Sequence, residues 1–200
     1  MKIGIIDYGM GNLNSVYNAF NYLGADAFIS SSIKELEKAD KIILPGVGAF
    51  EDAIKQIKEK KLDEFISETI RRDKPLLGIC LGMQLLFEKS YEFGQWEGLS
   101  LLKGDIKPFK KSNLKIPHMG WNSLQIRKKS KLLDNIEDNA YVYFVHSYHL
   151  TTKDDIVIAT TNYGEDIQIA VQKDNIYGLQ FHPEKSGDIG LEILNNFVKI

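Results

Sequence analysis

The chain has 200 residues, 44% of them hydrophobic and 26% charged, with a net charge of −2. These proportions are ordinary for a folded domain and exclude a disordered chain, a collagen-like fibre and a coiled-coil rod. They also give no basic surplus for nucleic acid or an anionic membrane. A single cysteine rules out an internal disulfide and fits a reducing compartment. Asp7 breaks the opening apolar run too early for a signal peptide, and no window reaches the ~18–20 apolar residues of a membrane helix. A cytoplasmic location is expected, with no membrane or nucleic-acid partner.

Residues 2–7 form a continuous apolar run, the pattern of a buried strand. Tyr8-Gly9-Met10-Gly11-Asn12 is a glycine-rich turn. A helix over 13–23 follows, with Val16, Ala19, Phe20 and Leu23 on one face and Gly24 as its stop. A second strand spans 25–30. Ser32 and Glu35 have capping-box spacing for a short helix to Lys38. A third strand, 41–44, ends at Pro45-Gly46. Helices fill 49–72, with Ile54, Ile57, Phe65, Ile66 and Ile70 as their apolar positions. A fourth buried strand, 76–79, runs into Cys80, and 81–89 is helical. This alternation predicts a parallel sheet covered on both faces.

The second half is different. Segments 99–106, 114–127, 141–150, 156–160, 167–172 and 176–181 are short and β-prone. Lys173-Asp174-Asn175 reads as a hairpin turn, and 189–198 as a terminal helix. The lysine pairs at 110–111 and 128–129 read as solvated loop charges. The expected architecture is α/β, a single domain over 1–200. Its mostly parallel central sheet is flanked by helices and extended by an antiparallel part in the C-terminal half.

Gly78-Ile79-Cys80-Leu81-Gly82 is a G-x-C-x-G stretch between a buried strand and a helix, the nucleophile-elbow pattern with Cys in place of Ser. A sharp strand-to-helix turn strains the backbone of the nucleophile, and small neighbours relieve the crowding. The helix N-terminus favours an anion, and N–H groups at the turn can face a developing oxyanion. The plainer reading is a buried, inert cysteine. A thiolate nucleophile needs a base. Of four histidines, His182 sits in Gln180-Phe181-His182-Pro183-Glu184-Lys185, where Glu184 can accept from one ring nitrogen while the other serves Cys80. The plainer reading of that stretch is a surface loop, since the two segments are 102 positions apart. Pro45-Gly46-Val47-Gly48 ends another strand, where α/β sheets bind ligands. No cofactor or metal is expected. Gly9-Met10-Gly11 lacks the third glycine of a dinucleotide fingerprint, no Walker motif occurs, and one Cys with four scattered His gives no metal-ligand spacing.

Pro45-Gly46-Val47-Gly48, Gly78-Ile79-Cys80-Leu81-Gly82-Met83-Gln84 and His182-Pro183-Glu184 together resemble the class I (triad) glutamine amidotransferases. The resemblance implies their flavodoxin-like fold. Asp7-Tyr8-Gly9-Met10-Gly11-Asn12, His118-Met119-Gly120-Trp121-Asn122 and Phe144-Val145-His146-Ser147-Tyr148 narrow it. They resemble the glutaminase subunits of imidazole glycerol phosphate synthases, over the whole chain. The resemblance implies that Cys80 attacks the glutamine amide to form a glutamyl thioester, that His182 shuttles protons and that Glu184 orients His182. It implies Val47 and Leu81 N–H groups as the oxyanion hole, and Gly48, Gln84, Glu92, His146, Ser147 and Tyr148 around L-glutamine.

It further implies a TIM-barrel cyclase subunit (HisF-type) in a heterodimer. Ammonia is channelled to that subunit to make imidazole glycerol phosphate and an aminoimidazole carboxamide ribotide in histidine biosynthesis. Partner-interface candidates on the same basis are Asn12, Trp121, Asn122, Tyr143 and Lys185. A peptide flip near Gly46-Val47-Gly48 is the expected switch that keeps the glutaminase silent until the synthase is loaded. Three alternatives stand beside this reading. One is a paralogous subunit feeding ammonia to another synthase, such as a sugar-amidating enzyme; the others are a cysteine hydrolase on a related sheet and a non-catalytic module. Two features have no assigned role: His149, read as a partly exposed polar residue, and the basic stretch 103–111.

Overall fold

The computed structural model describes residues 1–110 and 114–200. Its first part runs β1 (Lys2–Ile6), α1 (Leu13–Tyr22), β2 (Asp26–Ser30), α2 (Ile33–Leu36), β3 (Lys41–Leu44), α3 (Phe50–Glu59), α4 (Leu62–Arg71), β4 (Leu76–Ile79) and α5 (Leu81–Leu85). Then come β5 (Lys89–Ser90), β6 (Trp96–Glu97), β7 (Asp105–Pro108), β8 (His118–Ser123), β9 (Gln125–Ile126) and β10 (Tyr141–His146). β11 (Tyr148–Thr151), β12 (Val157–Asn162), β13 (Asp166–Lys173), β14 (Ile176–Leu179) and α6 (Gly187–Lys199) complete it.

The apolar runs become the parallel strands, in the order β2-β1-β3-β4-β14. β3, β4 and β14 are buried at every residue because helices cover both faces. Alternate side chains divide between the layers. Ile43 joins Ile3, Ile5 and the α1 and α6 residues Val16, Phe20, Leu194 and Phe197. Ile42 and Leu44 join Phe50, Ile54, Ile57 and Ile66 of α3 and α4 on the other face. β14 is the seam, parallel to β4 and antiparallel to β13, and the sheet continues β13-β11-β7-β5-β6. The fold is therefore α/β with a mostly parallel centre and an antiparallel extension. β8 and β10 pair with each other as a separate two-stranded sheet.

Four local expectations change. The helix expected over 81–89 stops at Leu85. The carbonyls of Leu85, Leu86, Phe87 and Glu88 accept instead from N–H groups of Leu99, Leu101, Ser100 and Gly98, so a crossing segment takes over the acceptors a longer helix needs. That segment is irregular up to Gly104, and the strand expected from residue 99 begins at Asp105. The capping box does not close: the Ser32 side chain caps nothing, and Glu35 accepts from Ser30 Oγ. His149 is buried rather than partly exposed; Phe109 covers it at 5.0 Å, and its Nδ1 lies 3.0 Å from the Leu150 carbonyl. In the basic stretch, Lys107 pairs with Asp105 and Lys110 with Glu165, while Lys111 lies outside the described residues.

Candidate active site

The carboxyl ends of β3, β4 and β14 converge on Cys80. Cys80 sits between β4 and α5 with φ +54° and ψ −112°. That conformation costs on the order of 1–3 kcal/mol and persists only when its surroundings enforce it. Here the enforcement is backbone crowding. A β-carbon on Gly82 would stand 1.8 Å from the Leu44 carbonyl oxygen, and one on Gly46 2.8 Å from Gly82 N. The loop after β3 and the elbow after β4 therefore touch main chain to main chain. The first helical bond of α5 runs from Gln84 N–H to the Cys80 carbonyl, leaving the preceding N–H groups without a helical acceptor. Cys80 is 7% exposed, and its Sγ lies 3.9 Å from the Val145 carbonyl oxygen.

His182 follows β14, where Pro183 opens a tight turn. Its main-chain N–H donates to the Tyr143 carbonyl at 2.9 Å, fastening it to β10. Its Nδ1 lies 2.8 Å from Glu184 Oε1, with both side chains buried. Its Nε2 is buried with no hydrogen-bond partner. Burial works against the charged ring. The Cys80 sulfur and the Glu184 carboxylate outweigh burial and push the His182 pKa up to about 10. The arrangement is a thiol beside an imidazole that a carboxylate orients from behind, which suits proton transfer to and from a sulfur nucleophile.

Cys80, His182, Val47, Leu81, Gly48, Gln84, Glu92, His146, Ser147 and Tyr148 all line one cavity of about 160 Å³, and Val145 completes the lining. A larger depression of about 480 Å³ lies against α4 with Lys58, Asp63, Glu64, Ser67 and Arg71, and neither cysteine nor histidine is among its lining residues. Glu92 accepts from Phe50 N–H at the start of α3, and burial foremost raises its pKa above the usual carboxylate value. Gly48 takes φ +96°, which favours glycine in this loop. Gln84 spends both amide hydrogens inside the protein, on the Tyr148 carbonyl at 3.0 Å and Gln180 Oε1 at 2.9 Å. His146 is likewise occupied: Nδ1 lies 2.9 Å from the Tyr148 carbonyl and Nε2 2.9 Å from His118 Nδ1. Its ring therefore has no nitrogen left for a ligand.

Sequence reasoning passed over Gln180 and Met119. Gln180 is fully buried, and its Nε2 lies 3.9 Å from Cys80 Sγ. Its signal was a polar residue two places before His182 at the end of an apolar strand. Met119 is 64% exposed beside Trp121 at 55% and Tyr141 at 60%, all on the β8–β10 pair. Trp121 packs edge-on against Tyr143 at 6.0 Å. Asn122 is half-buried, Lys185 is exposed, and Asn12 accepts from Ser15 Oγ at the start of α1. Among the described residues, no group of three or more His, Cys, Asp or Glu could hold a metal ion, and no helix is long and apolar enough to cross a membrane.

Residues 4–200 match the family model described as Glutamine amidotransferase class-I. The chain belongs to the class I glutamine amidotransferases. It is 54% identical over 196 residues to the imidazole glycerol phosphate synthase subunit HisH of Caldanaerobacter subterraneus subsp. tengcongensis, covering 98% of this chain and 96% of that one. It is 53% identical over 199 residues to the HisH subunit of Lactococcus lactis subsp. lactis, covering 99% and 98%. Among solved structures, PurLQS from Thermotoga maritima superposes with TM-score 0.79 at 19% identity, covering 99% of this chain and 97% of that chain. The glutaminase domain of Trypanosoma brucei CTPS gives TM-score 0.69 at 19% identity, covering 100% and 94%. These two establish likeness of fold.

Proposed function

We propose that this chain is the glutamine-hydrolysing subunit of an imidazole glycerol phosphate synthase, acting in histidine biosynthesis. Identity above half to HisH subunits over nearly the full length of both chains supports the assignment. The observation that carries the chemistry is His182. It has one nitrogen on Glu184 and the other unpartnered, buried in the cavity that Cys80 lines.

In this reading Cys80 Sγ attacks the carboxamide carbon of L-glutamine and its proton passes to His182 Nε2. The Val47 and Leu81 N–H groups receive the oxyanion. A donor of that kind is worth about 3–4 kcal/mol, or 10²–10³ in rate. The tetrahedral adduct collapses as His182 returns the proton to the departing nitrogen, which leaves as ammonia. Water, deprotonated by His182, then cleaves the glutamyl thioester to glutamate and restores Cys80. Glu184 holds Nδ1–H throughout, so Nε2 is always the nitrogen that exchanges protons. Gly48, Glu92, Ser147, Tyr148 and the free Oε1 of Gln84 hold the amino-acid end and the amide; His146 serves through its ring edge and main chain.

The ammonia passes to a cyclase subunit of TIM-barrel fold in a cytoplasmic heterodimer. Met119, Trp121 and Tyr143 dock there, with Asn12, Asn122 and Lys185 at the margin. Exposed aromatic and methionine side chains on one short sheet are the composition of such an interface. The glycines of Gly46-Val47-Gly48 permit the peptide flip that completes the oxyanion hole only in the loaded complex. The test follows glutamate release by the chain alone, with a histidine-pathway cyclase, and with that cyclase plus its ribulosyl nucleotide. A large rise confined to the complete mixture and absent in Cys80→Ala is the expected result. No rise and no binding between the two chains overturns the assignment of the client.

A further inference from the structure

His118 lies outside the cavity. It is 2% exposed on the inner side of β8, directly opposite His146 in the β8–β10 register. Its ring is clamped between Tyr163 at 4.0 Å and Phe144 at 4.6 Å, both stacked. The hydrogen bonds around it allow one assignment of protons. The Tyr148 carbonyl can only accept, so His146 Nδ1 carries a hydrogen. In a neutral ring Nε2 of His146 must then accept, so His118 Nδ1 is the donor across 2.9 Å. His118 Nε2 in turn accepts from Asn122 Nδ2 at 3.3 Å. Asn122 is itself oriented, since its Oδ1 accepts from Ser123 N–H and its Nδ2 also reaches the Asn162 carbonyl. Burial keeps both rings neutral, lowering His118 to about 4 and His146 to about 3.

The chain continues inward from Tyr148. Its carbonyl also accepts from Gln84 Nε2, Gln84 donates to Gln180 Oε1, and Gln180 Nε2 stands 3.9 Å from Cys80 Sγ. One connected series of hydrogen bonds thus leads from the outer strand β8 to Cys80, with the Tyr148 carbonyl accepting from both sides. Removing the His118 donor frees His146 to adopt the other tautomer, which turns a bare nitrogen toward the Tyr148 carbonyl and repels it.

We propose that His118 is a positioning residue for glutamine hydrolysis. Its Nδ1–H fixes the tautomer of His146, and through it the Tyr148 carbonyl and the Gln84 and Gln180 amides that flank Cys80. The inference rests on the glutaminase reading above.

Two measurements test it. In the wild-type chain with 15N-labelled histidine, long-range proton–nitrogen correlation spectra at neutral pH read both tautomers. Signals are assigned by their loss in His118→Phe and His146→Phe. Protons on Nδ1 of both rings are expected, and a proton on Nε2 of either overturns the proposal. Second, glutamate release is compared in the complex with the ligand-loaded cyclase. His118→Phe keeps a stacked ring and removes the donor, and is expected to lower kcat about tenfold, the worth of one hydrogen bond. His118→Asn, whose Nδ2–H falls near the position of Nδ1–H, is expected to return kcat to within about threefold of wild type. A His118→Phe enzyme as fast as wild type, or a His118→Asn enzyme as slow as His118→Phe, overturns it. The tautomers are read without glutamine, so their failure sinks this inference alone; activity that survives Cys80→Ala sinks the reading beneath it.

Discussion

Two regions hold Cys80 from opposite sides and do so by different means. On one side the loop after β3 and the elbow after β4 meet through backbone, with Gly46 and Gly82 too close to Tyr8 Oη and the Leu44 carbonyl to carry side chains. On the other side β10, β11 and the turn after β14 meet through polar groups: the side chains of His146, Gln84 and Gln180 bond across element boundaries, and the His182 main-chain N–H bonds to Tyr143 of β10. Backbone crowding at Gly46 and Gly82 leaves Cys80 one place, while the peptides beyond Gly46 keep the freedom to turn that glycine gives them. Hydrogen bonds are worth about 1 kcal/mol each, so around Cys80 the second side is adjustable through its side chains. It is also the side whose outer strands leave Met119, Trp121 and Tyr141 exposed.

Substitutions on the two sides sharpen that contrast. The largest effect belongs to the proposed nucleophile: Cys80→Ala is expected to lower glutamine hydrolysis by on the order of 10⁴-fold or more, measured as glutamate released. Glu184→Gln is next. An amide facing Nδ1 can donate to it and reverse the His182 tautomer, so kcat falls by about 10²–10⁴ with KM little changed. On the backbone side, Gly82→Ala strikes the Leu44 carbonyl and costs on the order of 3 kcal/mol or more, a Tm lower by roughly 6–12 °C in a thermal melt. On the adjustable side, Gly120→Ala meets nothing within 4 Å and strains only its φ of +125°, so its Tm falls less. Equal losses of Tm would dissolve the distinction between the regions.

Trp121→Ala is expected to weaken association with the cyclase about 10–100-fold, seen by calorimetric titration, while the Tm of the free chain holds. The smallest effect is on pH dependence. His118 and His146 have folded pKa values, about 4 and about 3, below their unfolded value of 6.5. The unfolded chain therefore binds more protons in that window, and the stability these rings lend is lost as pH falls from 6.5 toward 3. His118→Phe removes one of the two groups, so its Tm declines less steeply with acid than that of wild type. Parallel curves would show that the ring is not held neutral by the fold.

The parallel half was legible because burial on both faces writes itself as unbroken apolar runs, and β3 and β4 fall where those runs do. The C-terminal half was legible as strands but not as pairings. β14 looks like any short apolar segment, and nothing local says that it joins β4 on one edge and β13 on the other. The end of α5 at Leu85 was hidden for the same reason, since the groups that capture the carbonyls there lie up to 16 residues downstream, Leu102 N–H on Leu86 being the farthest. In the site, Cys80, His182 and Glu184 stood out through glycine, proline and carboxylate neighbours. Gln180 and His118 did not, because a buried amide or imidazole is recognised by its partners, and those come from other strands.

By itself the sequence determined the elements whose cause is local. These are the apolar strands of the parallel centre, the elbow with its glycines, and the two-residue spacing that lets Glu184 reach His182 through a tight turn. Tertiary structure alone decided what depends on chain closure. It brought residues 102 positions apart to one cavity, committed both hydrogens of Gln84 and both nitrogens of His146, and buried His149 beneath Phe109. The physical reason is range. Backbone conformation and side-chain periodicity act over a few residues, whereas a hydrogen bond or a buried contact between strands is set by sheet order, which no short stretch of this chain encodes.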